Sequence, residues 1–154
     1  MPTPLQHELR QSRPFASPET EAALSVLRTA ALLGSAVAET LKPHGLTPTQ
    51  YNVLRILRGA GDDGLCRHEV GDRLVTPVPD VTRLLDRLEA AALIRRHRDP
   101  EDRRQVRARI TPQGLRRLAT LDGVLDALHR QQLGHLEEEQ LRTLTDVLAA
   151  ARAR

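Results

Sequence analysis

The sequence predicts a mainly α-helical fold with one small β-hairpin, α+β in class. Three observations carry this. Apolar residues recur at helical spacing over most of the chain. Ser17-Pro18, Thr47-Pro48 and Thr111-Pro112 each place a capping hydroxyl before a proline suited to the first helical position. Between Leu93 and Thr111 the apolar period drops to two, as in a half-solvated strand pair.

The first segment, residues 1–16, holds three prolines and few periodic apolar positions, and reads as a flexible or partner-clasping arm. Residues 17–45 follow as one long helix. Leu24, Leu27, Ala31, Gly34, Ala38 and Leu41 form one stripe, and Val26, Leu33 and Val37 form a second. A helix wet on half its surface needs only one. Two stripes predict burial against its own core and against a second chain, making this an N-terminal dimerisation helix that Pro43 and Gly45 stop.

Residues 46–111 form the next unit. Thr47-Pro48-Thr49-Gln50 has the spacing of a capping box. Val53, Leu54 and Leu57 follow, and a loop spans Gly59 to Gly64. A short helix is expected from about Arg67 to Leu74, and a second from Thr76 to about Ala91. In the second, Val81, Leu84, Leu85 and Leu88 share one face, opposite Asp80, Arg83 and Arg87. Two strands then flank the polar turn Asp99–Gln105. Two short helices in tandem followed by a hairpin make a winged helix-turn-helix. Residues 112–154 read as C-terminal dimerisation helices. Leu115, Leu118, Leu121, Leu125 and Leu128 mark one, which Gly134 ends, and Leu141, Leu144 and Leu148 mark the other.

Composition excludes several classes. A chain of 154 residues, 40% hydrophobic and 28% charged, suits one globular domain. The single cysteine, Cys66, rules out an internal disulfide and a cysteine-based zinc site within one chain. The histidines at 7, 44, 68, 97, 129 and 135 form no i, i+4 pair, so neither a metal nor a cofactor is expected. No nucleophile elbow, glycine-rich phosphate loop or paired catalytic signature occurs, which argues against an enzyme. Phe15 and Tyr51 are the only aromatics, too few to stack bases. There is no run of about 18 apolar residues and no basic-then-apolar start. The expectation is a cytoplasmic protein with no membrane span.

Charge is the positive clue. Of the 23 basic residues all but Lys42 are arginine, and the formal net charge is +3. Nine arginines and three acidic residues fall between Arg95 and Arg117. That local field suits a phosphate backbone.

Val81-Thr82-Arg83-Leu84-Leu85-Asp86-Arg87-Leu88-Glu89, then Leu93-Ile94 and Asp99-Pro100-Glu101-Asp102-Arg103-Arg104, resembles the MarR (multiple antibiotic resistance regulator) family over roughly residues 46–120. The most specific piece is Asp102, Arg104, Ile110 and Thr111, followed by Pro112-Gln113-Gly114. The resemblance implies a homodimer that binds a palindromic double-stranded DNA operator. It implies a repressor released by a small effector, often an aromatic or phenolic acid.

Within that frame a helix reads the major groove and a thin loop enters the minor groove. Thr76, Val78, Asp80, Thr82, Arg83 and Arg87 are the expected recognition-helix residues. Arg104 is the expected minor-groove residue, oriented by a salt bridge from Asp102, with Arg103 and Arg107 on phosphates. His44, Tyr51 and Arg55 are the ligand candidates, from spacing alone.

The chain departs from the family pattern in three places, five residues in all. Pro77, Pro79 and Asp80 replace small hydroxyl residues, and a carboxylate on the DNA side repels phosphate unless paired. Ala92 stands where glycine is usual, so a helix end without a left-handed residue is expected. Cys66, beside Arg67 and His68 at a helix start, is a candidate redox switch. Two alternatives follow: a winged-helix protein–protein adaptor or antagonist with weak DNA binding, and a thiol-based redox-sensing repressor.

Overall fold

The structure is a computed structural model and describes residues 1–153. Its elements are α1 (Pro4–Glu8), α2 (Pro18–Leu41), α3 (Pro48–Ala60), β1 (Leu65–Cys66), α4 (Arg67–Asp72), α5 (Val81–Ala90), β2 (Ile94–Arg98), β3 (Val106–Ile110), α6 (Pro112–Leu133) and α7 (Glu138–Arg152). The expected mainly helical fold with a winged helix-turn-helix is the one observed.

The capping devices act as the sequence implies. Ser17 Oγ accepts from the Thr20 N–H, Thr47 Oγ1 from Gln50, and Thr111 Oγ1 from Gly114. At α3 the Gln50 side chain also accepts from the Thr47 N–H at 3.0 Å, closing the capping box. Leu41, Val53, Leu54, Leu57, Val70, Leu85, Leu88, Ile94, Leu118 and Leu121 form the buried centre of one continuous core. Each such side chain contributes about 1.5–3 kcal/mol of transfer free energy on burial. Two short polar links tie α6 to the preceding elements. Asp122 accepts from both Arg58 guanidinium nitrogens, at 2.6 and 3.1 Å, and the His44 carbonyl accepts from Arg117 at 2.6 Å.

The sheet has three strands, ordered β1-β3-β2 and antiparallel throughout. The reading from sequence held only two. Leu65 and Cys66 are too short a run to show alternation, yet they pair with Ala108 and Arg107. Gly64 makes the pairing possible. Its φ is +65°, and a Cβ there would lie 2.5 Å from the Ala108 carbonyl oxygen. Gly114 plays the same part at the other end. A Cβ would stand 2.3 Å from the Leu93 carbonyl oxygen, so α6 sits directly against the base of the hairpin.

Other expectations need correction. The arm contains α1, in which Leu5 and Gln6 are buried, and Glu8 accepts from Arg28 of α2 at 2.8 Å. The long first helix, continued through a 3₁₀ turn to His44, is long and apolar enough to cross a bilayer by length and composition, with a window of mean hydropathy 1.3. The chain still has no unbroken apolar run of that length: alanine, leucine and valine keep the average high while glycine, serine and threonine interrupt them. Val26, Leu27 and Leu32 on this helix are exposed, as are Leu144 and Val147 on α7.

Candidate nucleic-acid interface

The helix expected from Thr76 begins five residues later. Residues 74–80 are a loop, and Asp80 is the N-cap of α5, its carboxylate accepting from the Arg83 N–H at 2.9 Å. A proline at 79 lacks the amide a helix interior needs, and a proline disfavours helical geometry in the residue before it. Together Pro77 and Pro79 hold the loop extended up to the cap. Asp80 is therefore a capping carboxylate at the positive end of the helix dipole. Val78 packs against the core, while Thr76 is exposed in the loop.

From that cap, α5 presents Thr82, Arg83 and Arg87 to solvent and buries Leu85 and Leu88. The far end closes in a Schellman motif, with Ala92 N–H donating to the Glu89 carbonyl and Leu93 N–H to Leu88. Ala92 has φ +59°, so the left-handed residue is present after all, without glycine.

Recognition helix and wing are joined by one residue that sequence reading passed over. Arg96 of β2 reaches Asp86 at 2.6 Å and Glu89 at 2.7 Å, and its backbone N–H donates to Glu89 at 2.8 Å. Asp86 and Glu89 stand three apart on one helix face, and strand alternation turns Arg96 toward them. That spacing was the available signal. The Arg96 amide, then its guanidinium, hold the Glu89 carboxyl below the usual range.

The wing turn is built by its aspartates. Asp99 accepts from the Glu101 and Asp102 amides at 2.8 and 3.2 Å and from Arg107 Nε at 2.5 Å. The Arg107 contact is the main reason its carboxyl titrates low. Asp102 accepts from the Arg104 backbone N–H at 3.1 Å and from the Gln105 side chain at 3.4 Å. The expected Asp102–Arg104 salt bridge is thus replaced by a backbone contact: Asp102 sets the turn from which Arg104 projects. Arg103 and Arg104 are exposed at the tip.

Arg107 also departs from expectation. Besides Asp99 it donates to the Gly64 carbonyl at 3.2 Å and lies 3.7 Å from Glu69, so it braces the hairpin against β1 and α4. Between wing and recognition helix lies a cleft of about 640 Å³, lined by Arg67, His68, Thr82, Arg96 and Arg104 among others. Arg67 donates to Thr82 Oγ1 at 3.4 Å across it. Cys66 lines its edge, partly buried, and its N–H donates to Glu69 at 2.8 Å.

The ligand candidates fall in two places. Tyr51 is a core residue with the Arg55 guanidinium 6.0 Å above its ring, while His44 is half-buried and engaged through its carbonyl.

A capped helix with an exposed basic face, clipped to a hairpin with two arginines at its tip, defines a winged-helix DNA-binding protein. The model of the MarR family matches residues 44–105. The chain is 32% identical over 105 residues to the HTH-type transcriptional regulator MhqR of Bacillus subtilis, covering 68% of this chain and 71% of that one. It is 36% identical to a crystal structure of a MarR transcription factor from Planctomyces limnophilus, with a TM-score of 0.67 over 89% of this chain and 99% of the other. BpsR of Bordetella bronchiseptica, whose DNA binding is regulated by 6-hydroxynicotinic acid, shares the fold with a TM-score of 0.80 at 22% identity, over 92% of this chain and 99% of the other. The chain belongs to the MarR family. It is a DNA-binding transcriptional regulator, not an enzyme.

Proposed function

We propose that the protein acts as a cytoplasmic homodimeric repressor that binds a palindromic operator and is released by a small aromatic acid. The observation that carries this reading is the Arg96 link. It fixes the angle between α5 and the wing, so that Thr82, Arg83 and Arg87 meet the major groove while Arg104 enters the neighbouring minor groove, with Arg103 on a phosphate.

Dimerisation rests on the exposed apolar side chains of α2 and α7, which a single protomer leaves in water. In a two-fold dimer the two α5 helices address half-sites about one DNA turn apart. The aromatic-acid effector rests on the likeness to BpsR. The adaptor alternative stays open to the same test: Asp80 caps α5 and keeps its charge, so weak DNA binding without a consensus would favour it.

Selection from random duplex DNA at physiological salt tests the reading. A palindromic consensus, lost in Arg104→Ala, is the expected result. Retention without a consensus, or none above a salt-sensitive background, overturns it. Peroxide treatment of the parent and Cys66→Ser tests thiol control, which requires loss of binding in the parent alone.

A further inference from the structure

The wing sheet has a second face. Arg96 turns toward α5, so alternation turns Arg95 and His97 the other way. On that outer face Arg95 and Arg109 are directly opposed in register. Like charges in that position destabilise a strand pair. Arg116, from the second turn of α6, lines the same hollow of about 480 Å³, together with His97, Ile110 and Pro112. Three cations converge there, and none has an ion-pair partner among the described residues. The His97 Nε2 is also buried without a hydrogen-bond partner. Buried polar atoms are nearly always satisfied, so this nitrogen is free to hydrogen-bond a group entering the hollow.

The geometry points to a small-molecule anion site at the base of the wing, taking an organic dianion such as a dicarboxylate. Arg95, Arg109 and Arg116 hold its two charged ends. Guanidinium forks match carboxylate oxygens two at a time. The volume falls among ordinary small-molecule sites, about 300–1,000 Å³. Ile110 and Pro112 supply apolar wall, which favours an organic body over a bare ion. The arm of Arg109 is seated over Gly64, where a Cβ would come within 2.9 Å of its Cγ, so the stem is placed before the ligand arrives. The three cations sit at the helix-bound end of the hairpin, opposite the tip that carries Arg103 and Arg104. The site therefore stands independently of the operator reading.

Phthalate is the probe, titrated into the full-length protein carrying ¹⁵N-labelled arginine and followed by NMR at the side-chain Nε–H signals. Saturable shifts are expected at Arg95, Arg109 and Arg116, with affinity at least tenfold weaker in the double variant Arg95→Gln/Arg109→Gln. Arg116→Gln, on α6, gives an independent loss should the strand variant fail to fold. Thinning the basic field by one or two charges is expected to lower duplex affinity by well under tenfold. Inorganic phosphate is expected to bind at least tenfold more weakly than phthalate, and equal affinity overturns the organic assignment. Shifts that do not saturate, or that centre on the wing tip, overturn the site. A tenfold loss of DNA affinity in the variants also overturns it, because the arginines would then be contacts to DNA phosphate.

Discussion

Ala92 adopts φ +59° at the C-terminal end of the recognition helix, in a conformation that costs an L-residue about 1–2 kcal/mol and glycine little. Its side chain is exposed, so a substitution forfeits no packing. Ala92→Gly is expected to raise the unfolding free energy by about 0.5–1 kcal/mol, less than the full conformational cost because glycine has more freedom when unfolded. Urea unfolding of the two proteins checks this. Arg104 and Arg103 differ in what they are expected to lose. Arg104→Ala should cost about 1–3 kcal/mol of specific binding, whereas Arg103→Ala should lower the salt slope by about one across all sequences. Fluorescence anisotropy over a salt series, on the selected operator and on random duplex, separates them. Residue roles were the least legible part of the sequence. Asp80 could be named as an oddity, but whether its carboxylate faces DNA or its own helix depends on where the helix starts. Two prolines and one backbone hydrogen bond decide that. The Asp102–Arg104 relation had the right partners and the wrong atoms for the same reason: residue spacing does not distinguish a guanidinium from an amide.

The elements themselves were far more legible. Repeated hydroxyl-proline starts and leucine stripes located α2, α3, α6 and α7, because caps and apolar periodicity are local properties of the chain. The strand β1 was not, since its pairing depends on Ala108 and Arg107, some forty residues away. At this scale the acid response is set by links between elements. Glu89 joins α5 to β2, Asp99 joins the wing turn to β3, and Asp122 joins α6 to α3, each held below its usual titration range by arginine contacts. A carboxyl whose folded pKa is depressed adds stability that is full above its unfolded value, about 3.9–4.3. That contribution is lost as pH falls through the lower folded value. Stability is therefore expected to be level from pH 7 to about 5 and to fall below about 4, and Asp99→Asn should match the parent only at the acid end. Urea midpoints at pH 7, 5 and 3 check this. Arg96→Ala tests the joint between helix and wing. Operator affinity should fall about tenfold with the salt slope unchanged, because Arg96 orients the two reading elements and does not itself count among the phosphate contacts.

For the whole molecule, much of the exposed apolar surface lies on α2 and α7, at the two ends of the chain. Val26, Leu27 and Leu32 stand exposed with Leu144 and Val147. Leu27→Glu combined with Leu144→Glu is expected to yield a folded monomer, with the dimer constant weakened at least a hundredfold and operator affinity lost as the two half-sites uncouple. Sedimentation and circular dichroism read the two halves of that outcome. A monomeric parent would remove the basis for a palindromic target.

The near absence of aromatic residues has an optical consequence. With no tryptophan and one tyrosine, nearly all near-ultraviolet absorbance and emission comes from Tyr51, buried in the core on α3 under a guanidinium. Any movement of α3 against its neighbours is then reported by a single chromophore, without labelling. The same faint signal makes a trace of co-purified DNA dominate the ultraviolet spectrum, so protein concentrations for this molecule belong to amide absorbance or refractive index.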